Sequence, residues 1–235
     1  MTEIFDALAM ALRLIVTFDK SLGEIVGLSL YVSVTAVFFA TIVGVPLGAS
    51  IALFRFPGRS LIHIILNALM GFPPVVVGLL VYLMLSRSGP LGVFGLLYTP
   101  TAMIIAQFIL VTPIIAALSR QLFENLWEEY NEQLISMGCS PVQAIPTLIQ
   151  DGRFYLTTTV LAGFGRATAE VGAVMMVGGN IDHVTRVMTT TIALEVSKGD
   201  LALALALGII LLSITLVVGA LTHIVKDRFE QRTDS

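Results

Sequence analysis

An all-α membrane protein is the fold class this sequence predicts, on three observations. Charged residues make up only 12% of the chain, about half the share that a soluble domain carries. Mean hydropathy is +0.93. Four stretches, Ile25 to Phe54, Ser60 to Ser86, Ser88 to Ser119 and Leu201 to Val225, contain no Asp, Glu, Lys or Arg. Each is long enough to cross a hydrocarbon core of about 30 Å, which takes about 20 helical residues. A spanning β-barrel would alternate polar and apolar residues in strands of about 10, whereas these runs are apolar all round, so a helix bundle is expected.

From the N-terminus, Ile4 to Phe18 is interrupted by Asp6 and Arg13. It reads as an amphipathic interfacial segment within residues 1–23 rather than a cleaved leader, whose first residues would be basic. Spans are expected at 25 to 53, 61 to 85, 98 to 118, 156 to 177 and 201 to 225, making a bundle of five, or six if residues 4–18 also cross. The fourth is the least apolar, because Phe154 to Ile181 carries Arg166 and Glu170. The connections leave no room for a soluble domain, so 1–235 is a single membrane domain, with an insert at 119–155 and a tail at 226–235.

Orientation follows from the lysines and arginines. Arg55, Arg59, Arg120, Arg153, Lys226, Arg228 and Arg232 fall on one side; Arg13, Lys20, Arg87, Arg186 and Lys198 fall on the other. The positive-inside rule therefore places the 119–155 insert and the tail in the cytoplasm. Within the spans, Pro46, Pro73, Pro74 and Pro113 each remove a backbone donor. They mark either ordinary kinks in a packed bundle or broken helices lining a path.

The insert is where the composition inverts, with Glu124, Glu128, Glu129, Glu132 and Asp151. Helical spacing sets Glu128 and Glu132 on one face. Gly138 then stops the helix, in a left-handed conformation that glycine adopts freely, and Ser140 caps a second helix opened by Pro141. Net charge is -3 and there is no basic stripe, which argues against a nucleic-acid partner. The single cysteine, Cys139, excludes an intramolecular disulfide and reads as a small filler. His63, His183 and His223 are expected to be isolated from one another and from acidic clusters, so no metal site is expected. There is no phosphate-binding Gly-x-x-x-x-Gly-Lys-Ser/Thr, no His-Glu-x-x-His and no Gly-x-Ser-x-Gly, so neither enzyme nor cofactor is expected.

Glu132, Gly138 and Pro141 resemble the docking loop of ABC importer permeases, a Glu-Ala-Ala, three residues, then glycine. Gln133 and Leu134 replace the two alanines, and Gln150-Asp151 stands where many members have Leu-Pro. Downstream, Gly163-Phe-Gly-Arg166-Ala-Thr-Ala-Glu170-Val-Gly172 through Gly178-Gly179-Asn180 is similar to the segment after the loop in molybdate and tungstate permeases. Thr185 to Glu195 and Ser197-Lys-Gly-Asp200 are closer to the tungstate-type branch. The resemblance covers roughly residues 24 to 225.

It implies a type I importer permease: a homodimer in the cytoplasmic membrane of a prokaryote, two ATP-binding subunits beneath it, and an external binding protein delivering an oxyanion, tungstate or molybdate. It also implies ATPase coupling through Glu132, Gly138, Ser140, Pro141 and Ala144. Arg166 and Glu170, four apart, form either a fixed structural pair or part of the translocation path. Gly172, Gly178, Gly179 and Asn180 serve helix packing or the path wall. Other anions or small solutes stay open within the same importer class. A secondary transporter would also use a buried charge pair, but it usually shows two repeated halves, and none is evident here.

Overall fold

The structure is a computed structural model that describes residues 20–54 and 56–233, with a few positions between 5 and 17; for 221–233 it describes the helical backbone alone. The expected interfacial segment at Ile4 to Phe18 thus lies largely outside the described residues, as do Arg55 and the side chains of Lys226, Arg228 and Arg232. Nine α-helices and one 3-10 turn, Gly92–Phe94, make up the regular structure of the described residues. The helices are α1 Lys20–Leu53, α2 Arg59–Met70, α3 Pro74–Leu85, α4 Pro100–Ser136, α5 Pro141–Asp151, α6 Arg153–Thr168, α7 Gly172–Gly178, α8 Met188–Lys198 and α9 Leu201–Thr233.

Three of them, α1, α4 and the Leu201–Ala220 part of α9, are long and apolar enough to cross a bilayer singly. The other two expected spans are not continuous. Residues 61 to 85 divide into α2 and α3, bent by 98°, and residues 156 to 177 divide into α6 and α7, bent by 59°. At the first break Pro73 is extended at φ -61, ψ 122 and Pro74 is the first residue of α3. Two consecutive prolines supply no backbone donors, so neither residue can carry the α2 ladder onward. Pro46 and Pro113, by contrast, lie inside α1 and α4 without ending them.

The third expected span was to end near 118, yet α4 runs on to Ser136. At 1.5 Å per residue its 37 residues reach about 55 Å, well beyond a hydrocarbon core of about 30 Å. The surplus carries the glutamates of the insert, which is a helical extension, a break at Gly138 and then α5, as its helical spacing, glycine and cap suggested.

The chain forms two compact units. The first comprises Met1–Ala36, Pro73–Gln107 and Arg166–Val217. In it α3 lies against α7 so closely that a Cβ on Gly78 would stand 2.7 Å from the Ala173 Cα. Leu22, Ile25, Met188, Ala206 and Leu207 form an apolar cluster of this unit, and the Met188 N–H donates to Ser29 Oγ at 2.8 Å. The second unit comprises Val37–Phe72, Phe108–Gly165 and Val218–Ser235. Its core joins Ala49, Ala52 and Leu53 of α1 with Leu122, Phe123 and Leu134 of α4, Ala144 and Leu148 of α5 and Leu156 of α6. Gly48 lets α1 and α4 meet, since a Cβ there would lie 2.6 Å from the Ala116 carbonyl oxygen.

Candidate functional site

In the second unit, α4 ends in a left-handed glycine turn. Gly138 has φ +76. Its N–H donates to the Ile135 carbonyl at 2.9 Å and the Cys139 N–H to the Leu134 carbonyl at 2.9 Å. That pair of bonds closes a Schellman motif and uses two of the carbonyls that every helix end leaves open. Cys139 packs half-buried against the unit core, and Ser140 is the N-cap of α5 with Pro141 at its first position. Gln143 joins the cap: its Oε1 accepts from both the Ser140 N–H and its hydroxyl, each at 2.9 Å. The Ser140 hydroxyl thus donates to Gln143 within a capping box.

Of the residues expected at a docking contact, Glu132, Gly138 and Ser140 are exposed and Pro141 half-exposed. Ala144 is different. It is 0% exposed, sealed in the core beside Leu148. Its methyl packs α5 against α4. The outward surface instead presents Ile135, Met137 and Val142, with Met137 73% exposed. Apolar side chains that face outward around a charged turn suit a protein partner better than water.

In the first unit, Arg166 Nη1 donates to Glu170 Oε2 at 2.9 Å. The two do not share a helix face, because α6 stops at Thr168 and Glu170 sits in the break before α7. Glu170 is 4% exposed, and its other oxygen, Oε1, accepts from the Ala173 N–H at 3.0 Å. Its backbone carbonyl accepts from Thr189 Oγ1 at 2.8 Å. Gln107 Nε2 donates to the Ala167 carbonyl at 3.0 Å, giving a partner to a carbonyl beside the break. A carboxyl group at that depth is tolerable because both oxygens are hydrogen-bonded.

The glycines beyond the break stand where an added Cβ would meet a neighbour. A Cβ on Gly172 would meet Val75 Cγ2 at 2.8 Å, and one on Gly178 would meet Met103 Sδ at 2.9 Å. Gly179 has φ +70 and lies against the Tyr98 ring. Asn180, at φ +50, accepts from Thr190 Oγ1 through its Oδ1 at 2.9 Å. Thr185 bridges the same turn, donating to the Gly178 carbonyl and accepting from the Ile181 N–H.

Two charged groups escaped the reading of the sequence. In the second unit Glu124 is gripped by Arg59 at 2.7 Å and by Arg120, and His63 Nε2 lies 3.6 Å from it. Glu124, Arg59 and His63 border a groove of about 740 Å³ lined also by Phe54, Trp127 and Pro141. In the first unit His183 Nδ1 stands 2.8 Å from Glu24 Oε2, and Arg186 pairs with Asp182 at 2.8 Å. Histidines 63 and 183 therefore each stand beside a carboxylate that sequence spacing did not predict. His183 lies in the loop between α7 and α8, outside the spans. The hydrogen bond to Glu24, then the charge of Asp182, holds its pKa above 6.5. The four-residue spacing of Arg120 and Glu124 was a visible signal for the first group. Arg59, 65 residues from Glu124, gave none. No group of three or more His, Cys, Asp or Glu suited to a metal ion occurs among the described residues.

Residues 44–235 match the family described as binding-protein-dependent transport system inner membrane component. The chain is 42% identical over 223 residues to the tungstate uptake system permease protein TupB of Peptoclostridium acidaminophilum, covering 95% of this chain and 98% of that one. It is 39% identical over 223 residues to the protein of the same name from Campylobacter jejuni, covering 95% and 93%. A more distant relative is the sulfate transport system permease protein CysT of Salmonella typhimurium, 25% identical over 189 residues, covering 76% and 67%.

Proposed function

This chain belongs to the family of binding-protein-dependent transport system inner membrane components, multi-pass permeases of ABC importers, and from that premise we propose that it carries tungstate across the cytoplasmic membrane. The identity of about 40% to two tungstate permeases along nearly the whole chain carries this reading. The family works with ATP-binding subunits and an external binding protein. In the proposed assembly two copies of this chain form the path, one ATP-binding subunit docks on each, and the binding protein releases the oxyanion at the outer mouth. The chain itself hydrolyses nothing.

The ATPase contact is the Asn131 to Ile145 stretch. The supporting observations are local: a left-handed glycine turn, a capped short helix, and the outward Ile135, Met137 and Val142. ATP binding would draw the ATPase subunits together and displace α5. Because Ala144 and Leu148 are buried among Leu134, Phe123 and the end of α1, α5 cannot slide independently, and the displacement passes into the long helices. Energy enters there.

Along the path, Arg166 and Glu170 act as a clamp on the α6–α7 break. Both Glu170 oxygens are already committed, which favours the fixed pair over a guanidinium released to the passing dianion. Binding within the path stays weak, since an ion held tightly would be slow to leave. Selectivity then rests mainly with the binding protein.

The test is uptake into vesicles bearing this chain with its ATP-binding subunit and binding protein, supplied with tungstate, molybdate or sulfate. ATP-dependent tungstate accumulation ahead of the other two is expected. Accumulation of sulfate alone would transfer the chain to the substrate of its more distant relatives, and uptake without ATP would end the importer reading.

A further inference from the structure

Glu124 stands apart from its neighbours on α4. Glu128, Glu129 and Glu132 are exposed, whereas both Glu124 oxygens are engaged within the second unit. Oε1 accepts from Arg59 Nη2 and Oε2 from Arg120 Nη1. The same Arg59 guanidinium donates to the last carbonyls of α1: Nε to Ile51 O at 2.8 Å and Nη2 to Ala52 O at 2.9 Å. Those carbonyls have no intrahelical partner and lie at the negative end of the helix dipole, so a cation is the fitting cap. One carboxylate therefore joins α4 to the first residue of α2 and, through it, to the end of α1.

An apolar contact of Ile51, Ile62, Leu66 and Ala116 already draws these three helices together. That attraction is non-directional and leaves the helices able to slide and turn on one another. Charge-assisted hydrogen bonds from two guanidiniums fix the register instead. Resting on the reading of Asn131 to Ile145 as the ATPase contact, we infer that Glu124 is the positioning residue that makes α2 follow the docking helix. The route is continuous within the unit: α5 to α4 through Ala144 and Leu148, then α4 to α2 through Glu124 and Arg59. It delivers the ATPase-driven movement to the half-helix that ends at the 98° bend.

Removing the carboxylate leaves Arg59 and Arg120 facing each other with no counter-charge, while the apolar contact persists. Assembly survives; register is lost. The experiment uses the reconstituted importer with Glu124→Ala, Glu124→Gln and Glu124→Asp, reading tungstate accumulated per ATP hydrolysed together with the amount of ATP-binding subunit retained on the purified complex. The alanine variant is expected to retain the subunit and keep hydrolysing ATP while tungstate moved per ATP falls by about tenfold, a change within the range over which coupling networks act. Glutamine, with one acceptor left, falls in between, and aspartate restores part of the ratio.

Spin labels at Asn67 and Gln150, both exposed, supply a readout independent of transport. Their separation is expected to stay constant on ATP binding in the wild type and to change in Glu124→Ala. Should the alanine variant fail to assemble, Glu124→Gln is read in the same two ways. An unchanged transport ratio and unchanged spin separation in whichever variant assembles overturn the assignment of Glu124 while wild-type uptake leaves the importer reading standing. A wild-type complex that moves no oxyanion overturns both.

Discussion

Replacing Gly138 by valine isolates the turn between α4 and α5 from everything else. The residue sits at φ +76 with no atom within 4 Å of where a Cβ would be, so the substitution meets no clash and acts through the backbone alone. A left-handed conformation costs an ordinary residue about 1 to 2 kcal/mol, and a β-branched one stands at the upper end or above it. About 2 kcal/mol against the native turn shifts its equilibrium roughly 30-fold, since 1.4 kcal/mol is tenfold. Alanine costs less, and asparagine, which tolerates this region, costs least. The fold of the spans should survive, because the two Schellman bonds involve only Leu134, Ile135, Gly138 and Cys139. Uptake and ATPase retention should therefore fall in the order wild type, Asn, Ala, Val at equal membrane levels. Wild-type uptake by Gly138→Val at wild-type protein level would refute both the turn and the docking stretch built on it.

Three further outcomes follow from the same structure. Exchanging Arg166 and Glu170 is expected to fail in assembly, because an arginine at 170 cannot accept from the Ala173 N–H that Glu170 now satisfies; loss of a buried charge partner costs about 3 to 5 kcal/mol, and full expression and stability of the exchanged protein would contradict the clamp. At the α5 cap, Gln143→Ala should destabilise the docking helix by about 1 kcal/mol, as cap losses do, and reduce ATPase retention more than Ser140→Ala, in which residue 140 keeps its backbone N–H to Gln143; equal effects would count against this cap. The bond of His183 to Glu24 raises the folded pKa above 6.5, so its contribution to stability is complete below 6.5 and is lost as pH rises through the folded value. Thermal unfolding in detergent should accordingly lose part of its decline above pH 6.5 in Glu24→Gln, and an unaltered pH profile would remove this pair from the account.

The turn from α4 into α5 was the most legible part of the chain. It closes through bonds that span three and five residues, and Ser140, Pro141 and Gly138 each have a narrow set of conformations. Such a motif is complete before any distant segment arrives. The burial of Ala144 was not legible, because it is decided by Leu134, Leu148 and α1, which periodicity within α5 does not reveal. The spans were legible as apolar length, but their continuity was not. Pro46 and Pro113, each alone, pass within helices, whereas the consecutive Pro73 and Pro74 break one; the α6–α7 break contains no proline to announce it.

Composition and run length alone determined that this protein is a helical membrane bundle, because each apolar run must bury its backbone polarity within itself whatever the other runs do. The tertiary structure decided how charge is spent. Glu124 owes its place to Arg59, brought close by packing from 65 residues away, and the break that holds Glu170 is tied down at its backbone carbonyl by Thr189, 19 residues on. A charged side chain in sequence is only a cost to be met, and which neighbour meets it depends on geometry that does not exist until the helices have packed.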